Sequence, residues 1–205
     1  MINIYFIGGS PCSGKSTVAE ILSKKYDLNY FKVDDFLDKY TREGAAKGYS
    51  ICKKQISMNA EETWMRDPML QCREEIMFYK EIFEFILEDL AKIKTHRIIS
   101  EGAAYLPSLM QKLNIPSNKY ISLTSKKEFQ VSHYKKREWV PYILSECRDK
   151  EQAFSNWMDR DALFAKEVQE QCLKTGYVSI INDGSIKPDE LAEKIATYLQ
   201  LNTGD

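Results

Sequence analysis

The chain has 205 residues, which is enough for one domain with a full hydrophobic core or for a core domain with inserted lobes. Basic and acidic residues nearly balance, giving a formal net charge of −1, so we expect no nucleic-acid partner. No apolar run reaches the roughly 18 residues that a membrane helix needs, so we expect no membrane association.

Cysteine usage favours a reducing compartment. The cysteines, at positions 12, 52, 72, 147 and 172, form no C-x-x-C pair, and an odd count of 5 argues against a disulfide framework. The first residues also lack the basic segment and cleavage site of a secretory signal. We therefore expect a cytoplasmic protein, whose oligomeric state the sequence does not specify.

Short apolar runs predict β-strands that alternate with helical patterns. Such alternation is typical of parallel βαβ units, in which helices cover both faces of the sheet. The predicted strands cover residues 2–7, 30–33, 97–100, 119–123 and 177–181. The sequence thus predicts an α/β fold in which the second-to-third and fourth-to-fifth connections are far longer than one crossover.

A glycine-rich segment directly follows the first predicted strand. Residues 9–16 fit the pattern G-x-x-x-x-G-K-[ST], the phosphate-binding P-loop, and apolar residues at helical spacing follow it. We expect backbone N–H groups of this loop to bind phosphate, Lys15 to reach the β- and γ-phosphates, and Ser16 to bind Mg²⁺. The predicted nucleotide-binding residues here are Gly9, Ser10, Pro11, Cys12, Ser13, Gly14, Lys15, Ser16 and Thr17.

The second predicted strand ends in two carboxylates, Asp34 and Asp35. Side chains just past the carboxyl end of a parallel strand lie in the crevice where α/β sheets bind ligands. Asp34 could therefore accept a proton from an attacking hydroxyl or hold Mg²⁺, and Asp35 is a candidate acceptor contact. The alternative is that the pair simply caps the next helix.

The first long connection, residues 36–95, is predicted to form an acceptor-binding lobe. It holds a polar, glycine-containing stretch and then a strong amphipathic helix over residues 73–94, whose apolar stripe indicates core packing. Trp64 and Arg73 are the candidate acceptor-binding residues of this lobe. For Trp64, packing is the alternative, and for Arg73 the expected contact is an anionic or polar acceptor.

The third predicted strand ends in Glu101, followed by a glycine. An acid at the end of a buried strand beside a P-loop would face Mg²⁺ and the γ-phosphate, so Glu101 is a candidate catalytic and metal-binding residue. Since any strand can end in glutamate, this inference depends on the P-loop and Asp34 being nearby.

The second long connection, residues 124–176, is predicted to contain a lid over residues 134–160. Its pattern predicts a helix, an interruption at Pro141 and a second helix from about residue 150. Arg137, Arg148 and Arg160 are candidates to fold over the triphosphate and neutralise charge that develops during transfer. For each arginine the alternative is a solvated helix face.

Together, the segments GGSPCSGKST, VDDF, IISEG and INDGS resemble the P-loop small-molecule kinases of the nucleoside and nucleotide kinase superfamily. The resemblance spans nearly the whole chain and includes uridine-kinase-like and nicotinamide-riboside-kinase-like members. It implies one P-loop NTPase domain over residues 1–205, with a parallel sheet in strand order 2-3-1-4-5. It also implies ATP as the phosphoryl donor, Mg²⁺ as the cofactor and a small-molecule acceptor.

The same resemblance implies roles for individual residues. Asp34, two residues before an aromatic residue, would act on the acceptor hydroxyl, and Glu101 matches the acid that follows the third strand. In P-loop kinases the turn after the fifth strand often lies beside the adenine, so Asp183 and Gly184 are candidate nucleotide contacts. The implied reaction is transfer of the γ-phosphoryl group to a hydroxyl or phosphate of a small molecule such as a nucleoside or nucleotide.

The acceptor itself is not identified by the sequence. The glycine-rich segment of shikimate kinases and the DGxPR pattern of adenylate kinases are both missing. A zeta-toxin-like or antibiotic-modifying phosphotransferase would share the same loop, aspartate and lid. A nucleotide-binding regulator without transfer activity is a further alternative, although the retention of Lys15, Ser16, Asp34 and Glu101 disfavours it.

Overall fold

The fold is built on one five-stranded sheet in a computed structural model that describes residues 3–202. The strands are β1 (Asn3–Gly9), β2 (Asn29–Lys32), β3 (Arg97–Glu101), β4 (Tyr120–Ser125) and β5 (Ser179–Asn182). The helices are α1 (Lys15–Tyr26), α2 (Leu37–Lys47), α3 (Ser50–Ser57), α4 (Ala60–Trp64), α5 (Pro68–Lys92), α6 (Pro107–Lys112), α7 (Lys127–Tyr134), α8 (Val140–Ile143), α9 (Lys150–Thr175) and α10 (Pro188–Tyr198). Short 3₁₀ turns cover Val33–Phe36 and Ser117–Lys119.

All neighbouring strands pair in parallel, in the order β2-β3-β1-β4-β5. This confirms the predicted α/β fold and strand order. The predicted strand ends agree with the observed ones to within two residues, except that Ile2 lies outside the described residues. The carboxyl ends of β1, β2 and β3 therefore meet at one edge of the sheet, where the P-loop, Asp34 and Glu101 follow.

Side chains alternate between two hydrophobic layers along the central strand. Tyr5 and Ile7 pack with Leu22 of α1 and Ile195 of α10, whereas Phe6 packs on the opposite face against residues of α5, α6 and α9. This alternation follows from the two-residue period of a β-strand. Both faces of the sheet are consequently covered by helices, as a parallel sheet requires.

The first connection contains more helix than the sequence predicts. The predicted helix over residues 73–94 is observed as α5, which starts earlier, because Asp67 caps its N-terminus and Pro68 opens its first turn. The polar stretch before it forms α2, which ends at Gly48 with a φ of 97°. Helices α2 and α3 pack closely because Gly44 has no Cβ. A Cβ at this position would lie 2.5 Å from the Sγ of Cys52.

The second connection follows the predicted pattern. Helix α7 ends at Tyr134, Pro141 lies in the first turn of the short helix α8, and α9 starts at Lys150. A small hydrophobic cluster that includes Leu144 and Trp157 packs α7, α8 and α9 together. Within residues 3–202, no helix combines the length and the apolar character needed to cross a membrane.

Replacement of Gly9 by alanine should strongly destabilise the fold. Gly9 has a φ of 123°, and an added Cβ would lie 1.7 Å from the carbonyl oxygen of Leu123 on β4. We expect Gly9→Ala to lower the free energy of unfolding by more than about 2 kcal/mol, measured by urea denaturation. Gly176→Ala is the control, because Gly176 has a φ of 77° but open space around its Cβ position, which predicts a loss of about 1–2 kcal/mol. Equal losses in the two variants would contradict the steric explanation.

Candidate active site

The loop between β1 and α1 is held in place by the end of β4. The backbone N–H of Ser10 donates to the carbonyl of Leu123 at 2.9 Å, and the N–H of Ser125 donates to the Ser10 hydroxyl at 3.1 Å. On its other side, the Asn182 amide donates to the carbonyl of Ser13 at 3.0 Å. These contacts fix the loop that follows Gly9 before any ligand binds.

Backbone geometry shapes this loop for an anion. Cys12 and Gly14 have positive φ values of 55° and 91°, and α1 starts directly behind Gly14. Alternation of this kind turns successive N–H groups toward one point, and the N-terminus of α1 adds its positive dipole end. The segment predicted as a P-loop therefore has the backbone that phosphate binding requires.

Lys15 crosses the loop and is nearly buried. Its ammonium group donates to the carbonyl of Ser10 at 2.6 Å, so the charge lies against the start of the loop. The hydroxyl of Ser13 is buried there and has no hydrogen-bond partner among residues 3–202. A polyphosphate bound in the loop would satisfy both groups.

Glu101 is fully buried and accepts two hydrogen bonds at one oxygen. The hydroxyls of Ser16 and Tyr30 donate to its Oε1 at 2.9 Å and 3.0 Å, while Oε2 has no partner within the described residues. Burial raises the pKa of Glu101; the charge of Lys15 opposes this shift and the charge of Asp34 adds to it. An unpartnered carboxylate oxygen beside a serine hydroxyl is therefore available for a cation.

The oxygens of Ser16 and Glu101 fit a Mg²⁺ ion whose other ligands are phosphate and water. The described residues contain no group of three or more histidine, cysteine, aspartate or glutamate side chains that could hold a metal ion. Mg²⁺ needs only one or two protein oxygens when phosphate and water supply the remaining ligands. Ser16 and Glu101 provide such oxygens next to the loop, and Asp34 supplies a further carboxylate nearby.

Asp34 and Asp35 diverge at the end of β2. They lie in the turn Val33–Phe36, and Asp35 forms an ion pair with Lys32 at 3.8 Å. Burial, followed by the charges of Glu75 and Asp34, raises the pKa of Tyr79, and the charge of Asp34 also acts on Glu101. The charge of Asp34 therefore acts on Glu101 and Tyr79, whereas Asp35 pairs with Lys32.

A cavity of about 370 Å³ adjoins the loop; we call it the nucleotide cavity. Its walls include Cys12, Gly14 and Thr17 of the loop segment, Arg137, Gly184, and the aromatic pair Phe129 and His133, whose rings are 4.0 Å apart. Of the predicted pair after β5, Gly184 lines this cavity. Hydrogen bonds from Ser185 and Lys126 hold the carboxylate of Asp183 and lower its pKa.

The three predicted lid arginines occupy different surroundings. Arg137 lies against the loop, where its guanidinium donates to the sulfur of Cys12 at 3.5 Å and stacks over the rings of Tyr134 and Trp139. Burial raises the pKa of the Cys12 thiol. Arg148 is exposed, and its backbone N–H donates to Glu61.

Arg160 is buried rather than free to reach outward. Its guanidinium pairs with Glu75 of α5 and, at 2.6 Å, with the neighbouring Asp161. It also lies 5.3 Å from the ring centre of Trp64. In this arrangement its charge is neutralised by carboxylates, so a role toward the triphosphate would require Arg160 to leave them.

The two predicted acceptor-binding residues, Trp64 and Arg73, have different surroundings. Trp64 stacks on Trp157 with ring centres 4.4 Å apart, and its carbonyl accepts from Asn156, so it joins the lobe to α9. Arg73 is exposed on the first turns of α5, where its guanidinium contacts the sulfur of Met69. Trp64 is partly buried against the hydrophobic cluster of α7, α8 and α9, whereas Arg73 is exposed.

Several site residues are not among those that the sequence singles out. Tyr30 supports Glu101, Tyr79 lies beside Asp34, and Phe129 and His133 line the nucleotide cavity. Tyr30 and Tyr79 occupy positions that the apolar pattern explains as packing. His133 has no spacing that suggests metal binding, and its place in a cavity depends on segments distant in sequence.

Comparisons with known proteins support the fold alone. No protein-family model matches the chain, and no curated protein matches it. Among solved structures, TT1252 from Thermus thermophilus shares the fold, with a TM-score of 0.52, 16% identity and 98% of each chain covered. Shikimate kinase from Aquifex aeolicus VF5 matches with a TM-score of 0.47 at 22% identity, covering 96% of each chain. A protein from Eubacterium ventriosum matches with a TM-score of 0.48 at 13% identity, covering 98% of this chain and 99% of its own.

Removal of the Tyr30 hydroxyl should destabilise the protein in a pH-dependent way. Its hydrogen bond goes to a carboxylate, and such bonds are about twice as strong as neutral ones. We expect Tyr30→Phe to lower the free energy of unfolding by about 1.5–3 kcal/mol at pH 8. The loss should shrink as the pH falls through the raised pKa of Glu101, because the protonated carboxyl is a weaker acceptor.

Tyr177→Phe is the matched control for this change. The Tyr177 hydroxyl donates to the neutral carbonyl of Ile115 at 2.6 Å, so its loss should not change between pH 4 and pH 8. Urea denaturation of both variants at each pH gives the comparison. A pH-independent loss in Tyr30→Phe would show that its hydroxyl does not depend on the charge of Glu101.

Proposed function

We propose that the protein transfers the γ-phosphoryl group of ATP, in the presence of Mg²⁺, to a hydroxyl or phosphate of a small molecule. One observation carries this proposal. The Ser16 hydroxyl, directly behind the loop, contacts the buried, incompletely bonded carboxylate of Glu101, and Lys15 spans the same loop to the carbonyl of Ser10. That combination serves a polyphosphate with a divalent cation, and the exposed Asp34 beside it can serve an acceptor.

The donor would lie along the loop with its base in the nucleotide cavity. Backbone N–H groups of the loop and the Lys15 ammonium bind the phosphates, and the rings of Phe129 and His133 offer an apolar wall to the base. Arg137, next to Cys12, can reach phosphate oxygens from the same side. This arrangement supports ATP as the donor, and the cavity walls also allow other nucleoside triphosphates.

Mg²⁺ would be held by Ser16 and Glu101, with Asp34 close by, and when bound it neutralises phosphate charge and fixes the orientation of the phosphates. Tyr30 holds the Glu101 carboxylate in place through the oxygen that Ser16 also contacts. The Asp34 carboxylate takes the proton of the acceptor hydroxyl as that oxygen bonds to the γ-phosphorus. The bond from the γ-phosphorus to the β–γ bridging oxygen breaks, and ADP leaves.

The two connections supply the rest of the site in this proposal. Residues 36–95 form the acceptor-binding lobe, and residues 134–160 contain the lid that excludes water from the reacting phosphate. Of the lid arginines, Arg137 is already beside the loop, whereas Arg148 and Arg160 would have to move. The Trp64–Trp157 stack fixes the lobe to α9.

Replacement of Lys15 by methionine should abolish phosphoryl transfer and leave the fold intact. Methionine keeps the aliphatic stem that is buried in the loop but removes the charge that neutralises the β- and γ-phosphates. We expect no acceptor-dependent ADP formation above background from a variant with a wild-type circular dichroism spectrum. Lys24→Met, on the exposed side of α1, should retain wild-type turnover. Full activity in folded Lys15→Met would disprove the assignment of the loop.

Asp34 and Asp35 should respond differently to the same substitution. Asp34→Asn keeps the size of the side chain but removes its basic lone pair, so we expect kcat to fall by about 10²–10⁴-fold. Affinity for ATP, measured by titration calorimetry, should stay within a few-fold of wild type. Asp35→Asn is the control, since Asp35 pairs with Lys32, and its kcat should change little. The reverse pattern would make Asp35 the base, and two unaffected variants would point to Glu101.

A further inference from the structure

A second cavity, of about 280 Å³, lies between α3, α4, α5 and α9; we call it the lobe cavity. Its polar wall includes Lys54, Gln55, Arg66, Glu74, Glu75 and Arg160. We propose that the lobe cavity binds the phosphoryl acceptor and that this acceptor is a small, uncharged, hydroxyl-rich compound rather than an anion. The inference rests on the proposed function, whose acceptor it specifies.

The lobe cavity connects to the reaction site through Glu75. The hydroxyl of Tyr79 donates to the Oε1 of Glu75 at 2.7 Å. The charge of Asp34, the proposed base, contributes to the raised pKa of Tyr79. Arg160, which pairs with Glu75, also forms an ion pair with Asp161 at 2.6 Å, and the charge of Asp161 acts on Cys12 of the loop. The cavity wall is therefore linked to the surroundings of Asp34 through Glu75 and Tyr79, and Trp64 on the same wall packs in one hydrophobic cluster with Cys12 of the loop.

Two of the cations that line the lobe cavity, Lys54 and Arg66, are already neutralised by Glu74. One carboxylate oxygen of Glu74 forms an ion pair with Lys54 at 2.5 Å, and the other forms an ion pair with Arg66. Burial alone would raise the pKa of Glu74, but the hydrogen bonds from Lys54 and Arg66 outweigh burial and lower it. Glu74 consequently stays ionised and shares its charge between two cations.

The remaining cation, Arg160, is compensated in the same way. It pairs with Glu75 on the cavity wall and with Asp161 behind it. Burial raises the pKa of Asp161 to about 6 and the charge of Arg160 opposes that shift, so Asp161 is mainly ionised at pH 7 and above. The three cations of the cavity thus face three carboxylates, and their formal charges cancel.

A neutral wall of alternating donors and acceptors suits hydroxyl groups. A buried phosphate or carboxylate requires cations that are not already paired, because the loss of its hydration must be compensated. A hydroxyl group donates and accepts at once, so it can use a carboxylate oxygen, a guanidinium N–H or the Gln55 amide. A compound with several hydroxyl groups can therefore use this wall without adding a charge that its ion pairs would have to compensate.

The size of the cavity restricts the acceptor further. Ligand cavities in proteins usually measure about 300–1,000 Å³, so a volume of about 280 Å³ favours an acceptor near the size of a sugar or a nucleoside. Ile51 and Met58 add an apolar part to the wall, which can pack against the carbon face of such a ring. A hydroxyl directed toward Glu75 would approach the carboxylate that Tyr79, whose pKa the charge of Asp34 helps to raise, contacts at 2.7 Å.

Matched acceptor pairs test the preference directly. Wild-type protein is given ATP and Mg²⁺ with uncharged sugars, polyols and nucleosides, each paired with its carboxylated or phosphorylated counterpart, such as glucose with glucuronate or uridine with uridine 5′-monophosphate. We expect at least one uncharged member to stimulate ADP formation, with kcat/KM about tenfold or more above that of its anionic counterpart. Stimulation by anionic members alone, or by none, overturns the proposal.

Two substitutions change the charge of the lobe cavity in opposite directions. Glu74→Gln leaves Lys54 and Arg66 uncompensated, so the preference for the uncharged member should narrow by about tenfold. Lys54→Met leaves a carboxylate in excess, so the preference should widen. Glu84→Gln is the matched control, because Glu84 lies on the same helix and pairs with Lys47 outside the cavity. If neither cavity variant changes the preference, the acceptor does not bind there.

A readout without catalysis separates this inference from the proposed function. Binding of the best uncharged acceptor should raise the thermal midpoint of the wild-type protein, and less so that of Glu74→Gln, in the absence of ATP. Failure of the proposed function has a different signature, which is no measurable affinity for ATP with Mg²⁺. Affinity for ATP combined with no shift by any uncharged acceptor overturns the inference alone.

Discussion

The position of β1 between β3 and β4 is the constraint on which the whole site depends. Pairing with β4 holds Gly9 so close to the carbonyl of Leu123 that only glycine fits, and this fixes where the P-loop starts. Pairing with β3 places Ile7 opposite Glu101, so the carboxylate arrives beside the loop. Pairing of β2 with β3 places Lys32 opposite Glu101, and Asp34 follows two residues later. Backbone register alone therefore assembles three groups that are distant in sequence.

The sequence predicts the parts of this site that depend on local pattern. The P-loop is one continuous segment, and Asp34 and Glu101 each end a strand, so their meeting follows from the rule that parallel strands share one carboxyl edge. Helices α2, α3 and α4 are missed because they are short and polar, and helices of this length depend on packing rather than on propensity. The contact of Gly44 with Cys52 that packs α2 on α3 has no sequence signature.

The arginines show a second limit of sequence reasoning. Arg137, Arg148 and Arg160 are equivalent as pattern elements, since each is a cation in the second connection. Their surroundings differ because α9 turns Arg160 inward against α5, whereas the short segment before α8 leaves Arg137 beside Cys12. Which face of a helix is buried depends on all the elements packed against it. The position of a charge on a helix can thus be predicted more readily than its partner.

Two buried carboxylates, Glu101 and Asp161, have raised pKa values but differ in their compensation by cations. Glu101 keeps an unpartnered oxygen and a raised pKa, so the folded state carries a cost at neutral pH that a bound cation would relieve. Asp161 also has a raised pKa, and stability conferred by its protonated form is lost as pH rises from about 3.8 toward about 6. Above that range Arg160 compensates it and ties α9 to Glu75 of α5. Movement of the proposed lid would therefore be easier for the segment between α7 and α8, which carries Arg137, than for α9, which would have to separate these buried charges.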